Sequence, residues 1–423
     1  MTAQRIDALT SLRFFAAVSI ALFHASMVFP ILAVARHLAL TQGVSVFFVL
    51  SGFVLSHSHK RIGERGEVGR FYVARVARIW PLHACTALVA IWLAHNDGNT
   101  YGPIAQLLNA LLLQAWVPDE SVYFAVNGVS WTLSDEAFFY AVFPLLARLR
   151  PRHLAILATS LLTVFMLSLV RHSELPWMLW SAMISPITRL NEFMLGIAAY
   201  HLYDARLRHL QLPRGLATLI EVLAAALSIT TAYFGAFENI GRLPVTLWAP
   251  ANVWFSNTGS GVPAAILIAV LAMQRGYVAK FLRLTPLVFL GETSFSIYMT
   301  HELVLRARAE SRFTKGNQRD IANFALLRSD ACNIDNRLPA HRTPLATTRA
   351  QMAQQISAKR NARVTTTDRF FPPVQILHYL TCIADIAAHV ANCQPVDDSI
   401  RTESRAFAGP ARRVLCGSFS TCT

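Results

Sequence analysis

Apolar stretches close to twenty residues long recur through the first three hundred residues, and they leave such a chain few ways to fold. Backbone polar groups inside hydrocarbon must pair within their own segment, which makes helices of these stretches. Crossing about 30 Å of hydrocarbon takes roughly 20 residues. Runs of that order lie at 12–34, 42–57, 79–95, 131–147, 153–170, 188–203, 215–237, 262–274 and 286–305, with an ambiguous one at 104–117. The chain is 54% hydrophobic and only 15% charged, with a mean hydropathy of +0.40, whereas a soluble domain carries roughly a quarter charged residues. A net charge of +14 suits nucleic acid, an anionic surface or the cytoplasmic loops of a multi-span protein. The apolar runs decide for the last and against a nucleic-acid partner.

Basic residues orient the map, because short cytoplasmic loops collect Lys and Arg. Lys60, Arg61, Arg65, Arg70, Arg75 and Arg78 place the loop after the second run inside. Asp97, Asp119 and Glu120, without Lys or Arg, place 96–130 outside, and Arg148, Arg150 and Arg152 mark a return. The pattern predicts nine crossings, with 104–117 lying flat or dipping in. The fold class expected is therefore all-α: a polytopic transmembrane bundle of about nine to ten spans in a cell inner (plasma) membrane, over residues 1–305. Residues 306–423 are expected to form a separate, polar, Arg-rich and disordered tail. Five of the six cysteines fall in it, at spacings that match no metal motif.

Ionisable side chains inside a span are expensive and point to function. Arg13 and His24 lie eleven residues apart, which returns them to nearly the same helical face roughly 16 Å apart. A buried neutral imidazole is a ready general base. In Trp131-Thr-Leu-Ser-Asp135-Glu136-Ala-Phe-Phe-Tyr140, Glu136 and Tyr140 share a face, while Asp135 reads as an acid complementing a helix N-terminus. Counting depth from the opposite faces lets Glu136 and His24 both lie in the outer half, where a carboxylate can orient and charge an imidazole. Arg75 and Arg78 share a face at the inner edge, where they read as the positive-inside signal or as a fork for the phosphates of a nucleotide. Arg189 and Glu192, at i, i+3, are placed to pair with each other. Tyr298 and His301 fall toward the outer end of the last run.

Taken in order, these segments resemble the membrane-bound acyltransferase-3 family, which contains the O-antigen and Nod-factor O-acetyltransferases. The shared elements are an Arg and a His with ten residues between them (Arg13, His24), an FFxLSG-like span (Phe47 to Gly52) and R-x-x-R before I-[YW]-P-L (Arg75, Arg78, Ile79 to Leu82). They continue with W-[ST]-L-S-x-E-x-x-F-Y (Trp131 to Tyr140), R-x-x-E-F-x-x-G (Arg189 to Gly196) and G-x-x-S-[YF]-S-x-Y-x-x-H (Gly291 to His301). The resemblance implies transfer of an acyl group, commonly acetyl, from acyl-CoA to a hydroxyl of a cell-surface or lipid-linked glycan such as lipopolysaccharide. Acyl-CoA is then a donor substrate, with no permanently bound cofactor and no metal. It further implies that His24 and Glu136 are catalytic, that Arg13, Arg75 and Arg78 hold the CoA phosphates, and that Arg189, Glu192, Tyr298 and His301 line the acceptor side. Direct transfer and an acyl-enzyme relay both fit.

Family members follow the last of these elements with one more crossing, and no apolar run after Leu305 is long enough to supply it. A reading frame altered shortly after His301 is the expectation for this tail. Two alternatives to the enzyme reading follow: a multi-span glycan or lipid transporter, for which intramembrane charges are also expected, and an inactive truncated family member.

Overall fold

The computed structural model describes residues 5–313 apart from 61, 63, 65, 172–176, 178 and 237–248. The expectations for the tail beyond Phe313, including the altered reading frame, lie outside the described residues.

The described residues form thirteen α-helices joined by short turns, 3₁₀ segments and a π-helical turn at Trp180–Ile184, and no strand occurs among them. They are α1 (Asp7–Val28), α2 (Gly43–Ser58), α3 (Glu67–Asn96), α4 (Pro103–Ala110), α5 (Glu120–Tyr123), α6 (Trp131–Leu146) and α7 (Pro151–Arg171). They continue with α8 (Pro186–Ala205), α9 (Arg214–Gly235), α10 (Ala249–Thr258), α11 (Gly261–Ala272), α12 (Tyr277–Leu282) and α13 (Thr285–Phe313).

Every one of the nine apolar runs is helical, but the expected count of nine spans is not reproduced. Among the described residues, six stretches are both long and apolar enough to cross a membrane: Asp7–Val28, Leu40–Ser58, Glu67–Asn96, Pro151–Ser168, Arg214–Gly235 and Trp254–Ala272. Of the other three, α6 has only 16 residues. Helix α8 carries Arg189, Glu192 and Asp204, and α13 carries Glu292, His301 and Glu302, which dilute their apolar character. The ambiguous run at 104–117 makes the eight-residue α4 and one 3₁₀ turn, too short to cross.

Two close helix pairs organise the bundle. Helices α2 and α8 cross where Gly52 and Gly196 face each other's backbone: a Cβ on Gly52 would lie 2.0 Å from the Phe193 carbonyl oxygen, and one on Gly196 2.0 Å from that of Val49. Small residues allow this approach, and packing of this kind replaces the missing hydrophobic drive between helices in lipid. Helices α1 and α13 run parallel, with Gly291 against the Thr10 backbone near one end and His24 against His301 near the other. An Arg5–Glu292 ion pair closes the first of these ends. By contrast, α7 and α9 leave rows of large apolar side chains exposed, among them Ile156, Val164, Leu167, Leu219, Leu223 and Ile229, as helices facing lipid do.

Residues 103–130 fold back into the bundle. Asn127 is fully buried and donates to the Met299 carbonyl at 2.9 Å. Asn109 and Gln114 both bond Ser130. Helix α6 therefore starts inside the protein, with every residue of 125–135 buried. In the first half of α9, Glu221 is buried and accepts the backbone N–H groups of Gly276, Val278 and Ala279 at 2.9, 2.9 and 3.1 Å. These donors have no partner within α12 itself, so the carboxylate completes the start of that helix.

Candidate active site

The face of α1 that carries Arg13 and His24 leads to two separate polar clusters. At the first, Glu136 lies within electrostatic reach of Arg78, Arg13 and Arg75 and beside the Tyr140 hydroxyl. The same hydroxyl meets Arg75 and Ser51. The Arg75 guanidinium sits 5.8 Å from the centres of both the Phe71 and Tyr140 rings, while Arg78 is exposed. Three cations thus surround one carboxylate.

Glu136 does not partner His24, contrary to the expectation from counting depth. That count assumes that α6 begins at the membrane surface. Because 103–130 folds inward, α6 begins deep, and its second turn carries Glu136 to the arginines. Asp135, one position earlier, points to a different group. It is fully buried, and its electrostatic neighbours are Arg189, Glu192 and Glu136.

The second cluster belongs to His24. Its Nδ1 lies 2.8 Å from Nε2 of His301, and the two ring planes differ by 7° with centroids 5.1 Å apart. That separation is close to the N···N distance plus two ring radii, so the rings meet edge to edge in one plane, as an N–H···N bond requires. The Nδ1 of His301 lies 2.6 Å from the Tyr298 carbonyl oxygen. Glu302 is in electrostatic contact with both imidazoles and with Arg306. Arg306 donates to Glu302 at 3.0 Å, and to the Tyr101 hydroxyl and the Val126 carbonyl, each at 3.0 Å. A Cβ on Gly128 would approach the Glu302 carboxyl oxygens to 2.7 Å, so glycine there makes room for the carboxylate.

Glu302 and Arg306 escaped the sequence reading. They lie at the edge of the last apolar run, where a change of composition looks like the start of a tail. In the structure α13 runs on to Phe313, and Arg306 is tied into the body. The i, i+4 spacing of Glu302 and Arg306 was the available signal.

The residues expected on the acceptor side do not converge on one surface. Tyr298 is buried, and its hydroxyl is engaged by Thr132 at 3.1 Å and by the Val129 carbonyl at 3.2 Å. Arg189 and Glu192 pair with each other at 3.2 Å with side chains 2% and 4% exposed. Arg189 also donates to the Asn257 carbonyl at 3.2 Å and sits 5.0 Å from the centre of the Phe48 ring. Among the four, His301 alone touches His24. Between Arg13 and His24, on the same face of α1, Ala17 and Ile20 are buried in the core with Phe48, Tyr298 and Met299.

Fold and clusters together define a helical membrane protein with a histidine pair at one level of the bundle and an arginine cluster at another. The family model described as "Acyltransferase domain", that of acyltransferase-3, matches residues 6–308, and the chain belongs to this acyltransferase family. It is 32% identical over 331 residues to "Acyltransferase MdmB" of Streptomyces mycarofaciens, an alignment that covers 71% of this chain and 79% of that protein. No solved structure matches.

Proposed function

We propose that this membrane acyltransferase takes its acyl group from acyl-CoA and delivers it to a hydroxyl of a glycan or other small acceptor, with His24 as general base. The observation that carries this reading is the arrangement along one face of α1: a surplus of guanidinium at Arg13, and an imidazole with a free ring nitrogen at His24. Arg78, exposed, and Arg75 and Arg13, behind it, suit the phosphates of CoA, for which forked guanidinium donors are well matched.

At the other level, Nε2 of His24 makes no hydrogen bond among the described residues. It takes the proton of the acceptor hydroxyl as the oxygen attacks the thioester carbonyl. The tetrahedral intermediate then collapses, the C–S bond breaks, and the CoA thiolate recovers the proton from Nε2. Glu302 faces the imidazolium that exists between these two events and stabilises it. In the packing described above Ala17 and Ile20 fill the space between the two levels, so the acyl-pantetheine arm reaches His24 only when α1 and its neighbours part there. An inner-membrane setting and an O-acetylation role at the cell envelope complete the proposal.

The test is release of free thiol from acetyl-CoA in membranes containing the full chain. His24→Ala should lower the rate about a thousandfold, within the usual range for a general base. Equal thiol release from wild type and variant would remove His24 from the mechanism.

A further inference from the structure

The geometry assigns His301 a positioning role that the acceptor-side expectation did not contain: it fixes which nitrogen of His24 carries the hydrogen. The role deepens the proposed function and rests on His24 being its base. The argument begins at a group that can act in one sense only. A backbone carbonyl accepts and never donates, and Nδ1 of His301 lies 2.6 Å from the Tyr298 carbonyl oxygen, with the Ile297 carbonyl also in hydrogen-bonding range. Nδ1 of His301 therefore holds a hydrogen.

In a neutral imidazole the other nitrogen is then a lone-pair acceptor. That nitrogen, Nε2, faces Nδ1 of His24 at 2.8 Å with the rings in one plane, so His24 must donate from Nδ1. The chain of donors ends with an unprotonated Nε2 on His24, the atom that the transfer needs as its base. Without His301 nothing among the described contacts selects this form, and either ring nitrogen can carry the hydrogen. The device is built across 277 residues of sequence, on the parallel pair α1 and α13. Tyr298 serves it twice: its hydroxyl anchors α13 to Thr132 and Val129, while its carbonyl orients His301.

The experiment is solid-state NMR of the full chain, ¹⁵N-labelled at histidine and held in lipid, combined with steady-state kinetics. His24 should show the Nδ1–H form in the wild type. His301→Phe should release His24 to a mixture in which the Nε2–H form appears and, because the ring also loses the partner that aims it, lower kcat about a hundredfold, with KM for acetyl-CoA changed less than about twofold; a misplaced tautomer is costly in base catalysis generally. His301→Gln keeps an acceptor near the position of Nε2, and should keep the Nδ1–H form with kcat within about tenfold of wild type.

An Nε2–H form of His24 in the wild type would overturn the inference. So would a loss in His301→Gln as large as that in His301→Phe. The NMR result stands apart from activity: the expected tautomers together with an unaltered rate in His24→Ala would leave this assignment intact and sink the proposed reaction instead.

Discussion

At the Arg13 level of α1 three guanidiniums crowd one carboxylate, whereas at the His24 level two imidazoles lie beside Glu302 and Arg306, which answer each other. The first cluster carries an excess of positive charge and includes Arg78, which is exposed. The second is closed by hydrogen bonds to Tyr101, Val126 and Tyr298. An unbalanced cluster stabilises something brought to it, and a balanced one holds a side chain in a chosen orientation. On the proposed reading, the contrast separates binding from chemistry along a single helix.

The sharpest way to break that division is to compare kinetic constants. His24→Ala should lower kcat by about 10²- to 10⁴-fold and leave the apparent KM for acetyl-CoA near its wild-type value. A large rise in KM would mean that the two levels are not separate. Arg75→Ala with Arg78→Ala should do the reverse. Each hydrogen bond to a charged group contributes roughly 1.5–3 kcal/mol, so the KM for acetyl-CoA should rise at least about tenfold. The rise should shrink as salt is added, since surface charge is screened; an unchanged KM would count against a phosphate site.

Glu136→Gln sharpens the comparison further. As a partner of His24 it would reshape the pH dependence of kcat. In the arginine cluster it should shift the acetyl-CoA KM several-fold and leave the pH profile of kcat in place, which pH-rate curves of the variant will decide. Glu221→Gln lies away from both levels and should leave the kinetic constants unchanged. It should cost about 1–3 kcal/mol of stability, because the N-terminal donors of α12 lose a buried carboxylate. A lowered midpoint of thermal unfolding in detergent, measured against wild type, checks it.

Much of the fold was legible in the chain, and some of the site. The apolar runs name every long helix, because helical closure of the backbone is the only solution that hydrocarbon allows. Eleven-residue spacing correctly puts Arg13 and His24 on one face, and the i, i+3 spacing of Arg189 and Glu192 yields the buried pair. The destinations of Asp135 and Glu136 were not legible. Neighbours on a helix diverge by 100°, and where each arrives depends on how deep α6 starts, which the inward-folded segment before it decides. His301 as a partner of His24 is a tertiary fact, invisible to local spacing. Arg306 looked like the first residue of a tail because its partners Tyr101 and Val126 lie 205 and 180 residues earlier.

The buried pair Ala17 and Ile20 has a consequence for the cell that would hold this protein. They interrupt the ionisable groups along α1 with a collar of hydrocarbon, so protons find no unbroken file of polar side chains along that helix. Along α1, passage of a proton from one level to the other is then confined to the moments when this packing opens.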